Sequence, residues 1–371
     1  MWQHGGMDLL DRAVEGQRLS REEIERLFEL PLPELAAAAH ARRLEVADPR
    51  IVTYLIDRNI NYSNVCTIGC PYCAFWRAKQ NPEAYVLSYE EIAEKVAELK
   101  AVGGRRILMQ GGVHPELPLA WYEDLLRHLK RVHPEVRIDA FSPEEILGLE
   151  RLTGLDAGEI LARLKEAGLD GMPGAGAEIL VDEVRHKAAP RRIPTADWLR
   201  IVDAAQRLGL YTLASMVIGF GEGPRERAIH LDLIRSQQDR ALENYGRGFA
   251  AFALWTLQTE ETAYKDKAPG AGAHEYLKNL AIARLALDNI PYLQASWPTM
   301  GFRVAQTALF YGANDFGSTM LEENVVSAAG GYDRTHATIE QIHRYIRAAG
   351  FVPAERDVYY NLVRVFEGVP R

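Results

Sequence analysis

The 371-residue sequence predicts an α/β barrel of eight strand–helix units, a (β/α)8 TIM-type fold with an N-terminal helical extension. Three observations point to it. Short β-rich segments ending in glycine or polar residues alternate with segments whose apolar residues recur at helical spacing. Eight such units fit about 310 residues, a length suited to one barrel. No stretch rich in Pro, Gly or Ser is long enough to split the chain, and no repeat of solenoid period occurs.

Taken in order, residues 1–50 form the extension, helical over 7–46, and residues 51–371 form the barrel with a C-terminal helical closure. The first strand is expected at 58–65 "RNINYSNV" and the second at 105–110 "RRILMQ". Between them, 88–102 reads as a helix opened by Ser88 and Glu91, the Ser-x-x-Glu of a capping box. Strands follow at 136–141, 168–172 and 211–218, the last preceded by a helical pattern at 195–209 that ends on a glycine suited to a C-cap. The remaining three are expected at 248–256, 291–297 and 312–315. Chemistry in such a barrel sits in the loops after the strands. Here those loops read "MQGGVHP" (109–115), "SPEEI" (142–146), "MPGAGAEIL" (172–180) and "GFGE" (219–222).

Composition excludes several function classes. With 47% hydrophobic residues and no apolar run of spanning length, the chain reads as globular and not membrane-embedded. A net charge of −8 with interspersed signs argues against a nucleic-acid groove and favours a small-molecule substrate. The first residues lack a basic start followed by an apolar stretch, so a cytoplasmic location is expected.

All three cysteines, Cys66, Cys70 and Cys73, fall within "NYSNVCTIGCPYCAFWR". An odd count in a reducing compartment favours metal ligation or thiol chemistry over disulfides. A closed zinc site is one ligand short, and nothing in the spacing recommends His40, His114 or His128 as the fourth. Three thiolates in a C-x3-C-x2-C loop suit a four-iron four-sulfur cluster, whose fourth iron stays open to chelate S-adenosylmethionine.

With Tyr72 before the last cysteine, the loop resembles the C-x3-C-x-aromatic-C signature of the radical S-adenosylmethionine superfamily. That resemblance implies a 5′-deoxyadenosyl radical, with Tyr72 near the adenine and Gln110, Gly111 and Gly112 near the methionine amino group. It also implies Ser142, with Glu178 or Arg185, at the ribose hydroxyls and carboxylate, and Ile218 and Gly219 at the adenine. Glu178 and Arg185 equally suit a surface ion pair.

A narrower resemblance rests on "YVLSYEEI", "DAFSPEEI", "GAEILVDEVR", "YLQASW" and "GANDFGSTMLEENVVSAAG". These look like the dehypoxanthine futalosine cyclases of the futalosine route to menaquinone, and in part like aminofutalosine synthase and the deazaflavin chromophore synthase. The cyclase reading implies abstraction of the 4′ hydrogen of the substrate ribose, addition of the carbon radical to the benzoate ring, and reduced flavodoxin or ferredoxin as electron donor. The chain departs from the family at Phe220, where a histidine is usual, at Leu254 in place of proline, and at Met300 in place of glutamine. An iron–sulfur scaffold or redox sensor is the non-enzymatic alternative, and such a protein would not require a pocket.

For the substrate, His114 is a candidate hydrogen-bond donor or acid/base and Asp315 a second catalytic candidate. Trp255, Trp297 and Tyr311 offer flat faces, Asn314 offers a polar group in the eighth strand, and Glu323 and Asn324 offer polar groups after it. Each has a plain alternative: a turn for His114, barrel core for the aromatic residues, and helix N-terminal carboxylates for Glu322 and Glu323.

Overall fold

The computed structural model describes residues 3–330 and 335–368. Strand β1 (Ile51–Leu55) runs through Ile56 into β2 (Asp57–Asn61), and the barrel wall continues in sequence order. It comprises β3 (Arg106–Gln110), β4 (Arg137–Ala140), β5 (Gly171–Met172), β6 (Tyr211–Ile218), β7 (Phe249–Thr256), β8 (Leu293–Gln294) and β9 (Asp315–Ser318). All neighbours from β2 to β9 pair in parallel, as crossover helices require. The curled sheet closes where the Asn59 amide donates to Leu321 O at 2.9 Å and the Leu321 amide to Asp57 O at 3.2 Å.

The strand expected at 312–315 lies three residues later, and those expected at 168–172 and 291–297 shrink to two residues each. Three further strands have no counterpart in the expectation: β1, β10 (Val352–Arg356) and β11 (Leu362–Val365). β1 lies between β9 and β10, parallel to both, and β11 folds back antiparallel on β10. The turn between β10 and β11 closes the lower end of the barrel. Its Tyr360 stacks on Tyr292 at 3.8 Å and accepts a hydrogen bond from Gln294 Nε2 at 3.0 Å.

Three helices, Gln3–Val14, Arg21–Leu27 and Leu32–Val46, make up the N-terminal segment. The break between the first two ends at Ser20, which forms a capping box with Glu23. Leu19, Ile24 and Leu35 join the same apolar core as the barrel, with Leu32–Val46 packed on the helix Ala273–Ala286. Arg43 fastens this layer by donating to Ala313 O, Pro49 O and Ile51 O at 2.9 to 3.1 Å. Among the described residues, no helix is long and apolar enough to cross a membrane.

Candidate active site

A cavity of about 320 Å³ opens at the C-terminal ends of the strands. Its walls unite the cysteine loop, the ends of β2 and β3, the loops after β4 and β5, and β7. Cys66, Cys70 and Cys73 line one side, braced by Cys73 N donating to Cys70 O at 3.0 Å. The Val113 amide donates to Cys66 Sγ at 3.4 Å. Burial pushes the Cys70 thiol up to about 12 and also raises Cys73, so iron binding must displace these protons. Among the described residues, no three His, Cys, Asp or Glu side chains converge as a single-ion site.

Gly111 and Gly112 form the adjoining wall. A side chain at Gly112 would meet Val65 O at 2.2 Å and Cys66 Cβ at 2.7 Å, so only glycine lets this loop lie against the cysteines. Glu145 ties the loop to the next unit, accepting from the Gly111 amide at 3.1 Å and from the Tyr62 hydroxyl at 2.6 Å. Burial lifts the Glu145 carboxyl to about 7, although the Ser142 and Tyr62 hydroxyls donate to it and oppose the rise.

The third wall is ionic. Arg192 Nη2 donates to Glu178 Oε2 at 2.6 Å, its Nε lies 3.3 Å from Glu144 Oε2, and its Nη1 reaches Cys70 Sγ at 3.8 Å. Glu144 Oε1 is buried in this wall with no hydrogen-bond partner among the described residues. Glu178 adopts a φ of 37°, uncommon for a side chain of its size. Tyr72 packs edge-on to Phe220 with ring centroids 5.0 Å apart. Trp255, Thr256, Gln258 and Thr299 complete the far end, where Thr256 Oγ1 donates to Met300 Sδ at 3.2 Å.

Of the residues singled out in the sequence, the cysteines, Tyr72, Gln110, Gly111, Gly112, Ser142, Glu178 and Trp255 meet in this cavity. The structure places the others elsewhere. Ile218 is fully buried and Gly219 lies outside the lining; strand alternation turns Val217 inward, and Phe220 takes the position at the rim. Arg185 holds its own loop, donating to Ile193 O at 2.9 Å and Gly176 O at 3.0 Å. His114 Nδ1 accepts from the amides of Glu116 and Leu117, both at 3.1 Å, so its ring closes a turn.

Asn314 and Asp315 stand at the start of β9, the end of the barrel away from the cavity, because the strand begins where the sequence suggested it would finish. Asp315 is buried against Arg356 and Thr53, and Asn314 accepts from Arg284 and the Leu293 amide. Trp297 is fully buried and donates to Ser318 O at 2.9 Å, while Tyr311 packs partly buried against the core. Glu323 accepts the amides of Val325, Val326 and Ser327, all at 2.9 Å, and Asn324 reaches Asn61 Oδ1 at 3.4 Å. Arg192, Glu144 and Glu145 went unnoticed in the sequence, although the paired acids of "SPEE" carried a signal.

The donor set fits a cluster with bound S-adenosylmethionine. Three thiols face a cavity that also holds a close-approach glycine, a guanidinium, carboxylates and an orphaned carboxylate oxygen. Residues 60–234 match the Radical SAM superfamily and residues 246–369 the CofH/MqnC C-terminal region. The chain is 44% identical over 361 residues to the cyclic dehypoxanthine futalosine synthase of Halalkalibacterium halodurans, covering 97% of this chain and 95% of that one. To the 5-amino-6-(D-ribitylamino)uracil--L-tyrosine 4-hydroxyphenyl transferase of Microcystis aeruginosa it is 37% identical, covering 95% and 97%. Methylornithine synthase (PylB) shares the fold, with a TM-score of 0.72 at 18% identity over 93% of this chain and 97% of that one. The chain is therefore an enzyme of radical carbon–carbon bond formation that works with a four-iron four-sulfur cluster and S-adenosylmethionine. It belongs to the radical SAM superfamily, in the family that holds the cyclic dehypoxanthine futalosine synthases and their 4-hydroxyphenyl transferase relatives.

Proposed function

We propose that the enzyme cyclises dehypoxanthine futalosine, with reduced flavodoxin or ferredoxin as electron donor. The observation that carries this reading is the 44% identity to a cyclase across nearly the whole length of both chains, against 37% for the transferase. When bound, the cluster and S-adenosylmethionine supply the radical that abstracts the 4′ hydrogen of the ribose.

The chain's own residues bind, orient and exclude water. Cys66, Cys70 and Cys73 hold the cluster. Arg192 takes the cofactor's carboxylate, a role Arg185 cannot fill while its guanidinium is bonded to backbone carbonyls, and Glu178 takes the amino group. Gly112 lets the second loop come close, and Glu145 fixes that loop through the Gly111 amide. The unpaired Glu144 Oε1 awaits a donor, which a ribose hydroxyl supplies. Tyr72 and Phe220 flank the adenine. Trp255, Gln258 and Thr299 border the space left for substrate, whose reacting carbon must lie about 3 to 3.5 Å from the radical.

Phe220 on the rim and Met300 behind Thr256 support a second reading, a relative acting on another aromatic substrate, since both replace groups that hydrogen-bond. Anaerobic turnover of the reconstituted enzyme with substrate deuterated at the ribose 4′ position separates the two. Cyclic product and labelled 5′-deoxyadenosine are expected; cofactor cleavage indifferent to this substrate would overturn the cyclase reading.

A further inference from the structure

A second, smaller cavity of about 90 Å³ lies beneath the first, inside the barrel. Strand alternation stacks the two. Along β3, Gln110 faces the upper cavity while Arg106 and Leu108 face the lower; along β6, Val217 faces the upper while Tyr211 and Leu213 face the lower. Trp255 borders both, so a ligand lying beside its indole touches both spaces.

The lower cavity has apolar walls and a polar floor. Leu108, Leu213, Ala253, Trp255 and Trp297 supply the walls. At the floor, Tyr211 is only 5% exposed, yet its hydroxyl has no hydrogen-bond partner among the described residues. Arg106, 9% exposed, directs Nε to Asp139 at 2.8 Å and Nη1 to Asp57 at 2.6 Å, and its Nη2 makes no bond among the described residues. Both donors reach the cavity surface and are open to an acceptor there. The guanidiniums of Arg106, Arg137 and Arg356 are matched by Asp57, Asp139 and Asp315, so the floor presents open donors without an unmatched cation.

An aromatic ring ending in acceptor oxygens satisfies both parts: its face lies against the Trp255 indole and its oxygens meet Tyr211 and Arg106. In the upper cavity Arg192, the one cation lining it among the described residues, is assigned to the cofactor's carboxylate, so the substrate's oxygens find no guanidinium there. We propose that the lower cavity is an aryl-carboxylate subsite that takes the benzoate end of the substrate while the ribose stays above Trp255. This rests on the cyclase reading for the identity of the ligand, and on the geometry for the class of group.

Benzoate is the probe. Calorimetric titration of the reconstituted, S-adenosylmethionine-loaded enzyme is expected to show one saturable site for benzoate and none for benzylammonium, which presents donors in place of acceptors. Tyr211→Phe deletes one hydrogen bond and should weaken benzoate about three- to tenfold. Ala253→Phe fills the space and should abolish binding, and both variants should keep wild-type affinity for S-adenosylmethionine. Absence of saturable benzoate binding, equal binding of benzylammonium, or benzoate affinity unmoved in Tyr211→Phe would overturn the assignment. Benzoate binding without turnover of dehypoxanthine futalosine would sink the reaction and leave the subsite; turnover without benzoate binding would do the reverse.

Discussion

Replacing Glu145 by glutamine removes one ionisable group from the wall behind Gly111 and leaves its shape nearly intact. The carboxyl is 5% exposed, and burial raises it from an ordinary 4.5 to about 7. Between these values the unfolded chain has already lost this proton while the native chain keeps it. The native state therefore binds more protons, and stability falls as pH rises through the window. At roughly 1.36 kcal/mol per pH unit the full loss is ~3 kcal/mol, complete once the pH exceeds about 7. In Glu145→Gln that contribution is absent, whereas a glutamine oxygen still accepts from the Gly111 amide and the Tyr62 hydroxyl. Unfolding midpoints of both proteins, followed anaerobically from about pH 5 to about pH 8, should show the variant gaining on the wild type as pH rises. A stability difference that stays flat, or runs the other way, would refute the assignment of a native proton to Glu145.

Arg192→Lys keeps the charge but loses the fork that spans Glu178 and the cofactor. Its affinity for S-adenosylmethionine, read by equilibrium dialysis, should fall about ten- to a hundredfold, as expected for a charge-assisted bond of roughly 1.5–3 kcal/mol. Asp315→Asn leaves Arg356 buried without its carboxylate, so thermal unfolding should reveal a cost of about 3–5 kcal/mol. Product loss at unchanged stability would instead make Asp315 part of the chemistry. His114→Ala should leave cofactor cleavage at its wild-type rate, since the ring is turned into its own loop; a large loss would return His114 to the active site.

The parts of this enzyme that were legible in the sequence are those governed by local rules. The capping box at Ser88 and Glu91, the strands at 106–110, 211–218 and 249–256, and the cysteine loop appear where periodicity and spacing put them. The two-residue strands β5 and β8 left little pattern to read, and β9, with the sequence Asp-Phe-Gly-Ser, has none of the alternation that marks a strand. That short register error carried Asn314 and Asp315 to the wrong end of the barrel. Arg192 stayed hidden because its partners Glu178, Glu144 and Cys70 come from three separate segments of the chain, and nothing local in "APRRIP" distinguishes it from Arg191. Glu144 and Glu145 read as ordinary first-turn acids until burial set them apart.

The barrel floor also governs how the enzyme is made. Residues 357–361 seal the lower end, more than a hundred residues after Trp255 and nearly three hundred after the cysteines. A nascent chain that has emerged as far as β7 already carries all three thiols and both loop glycines, but its barrel is open to water beneath Arg106 and Tyr211. Contacts so distant in sequence form late. The turn between β10 and β11 is thus expected to dock last. Chains stalled before it expose apolar barrel walls, the state that chaperones and proteases have to intercept.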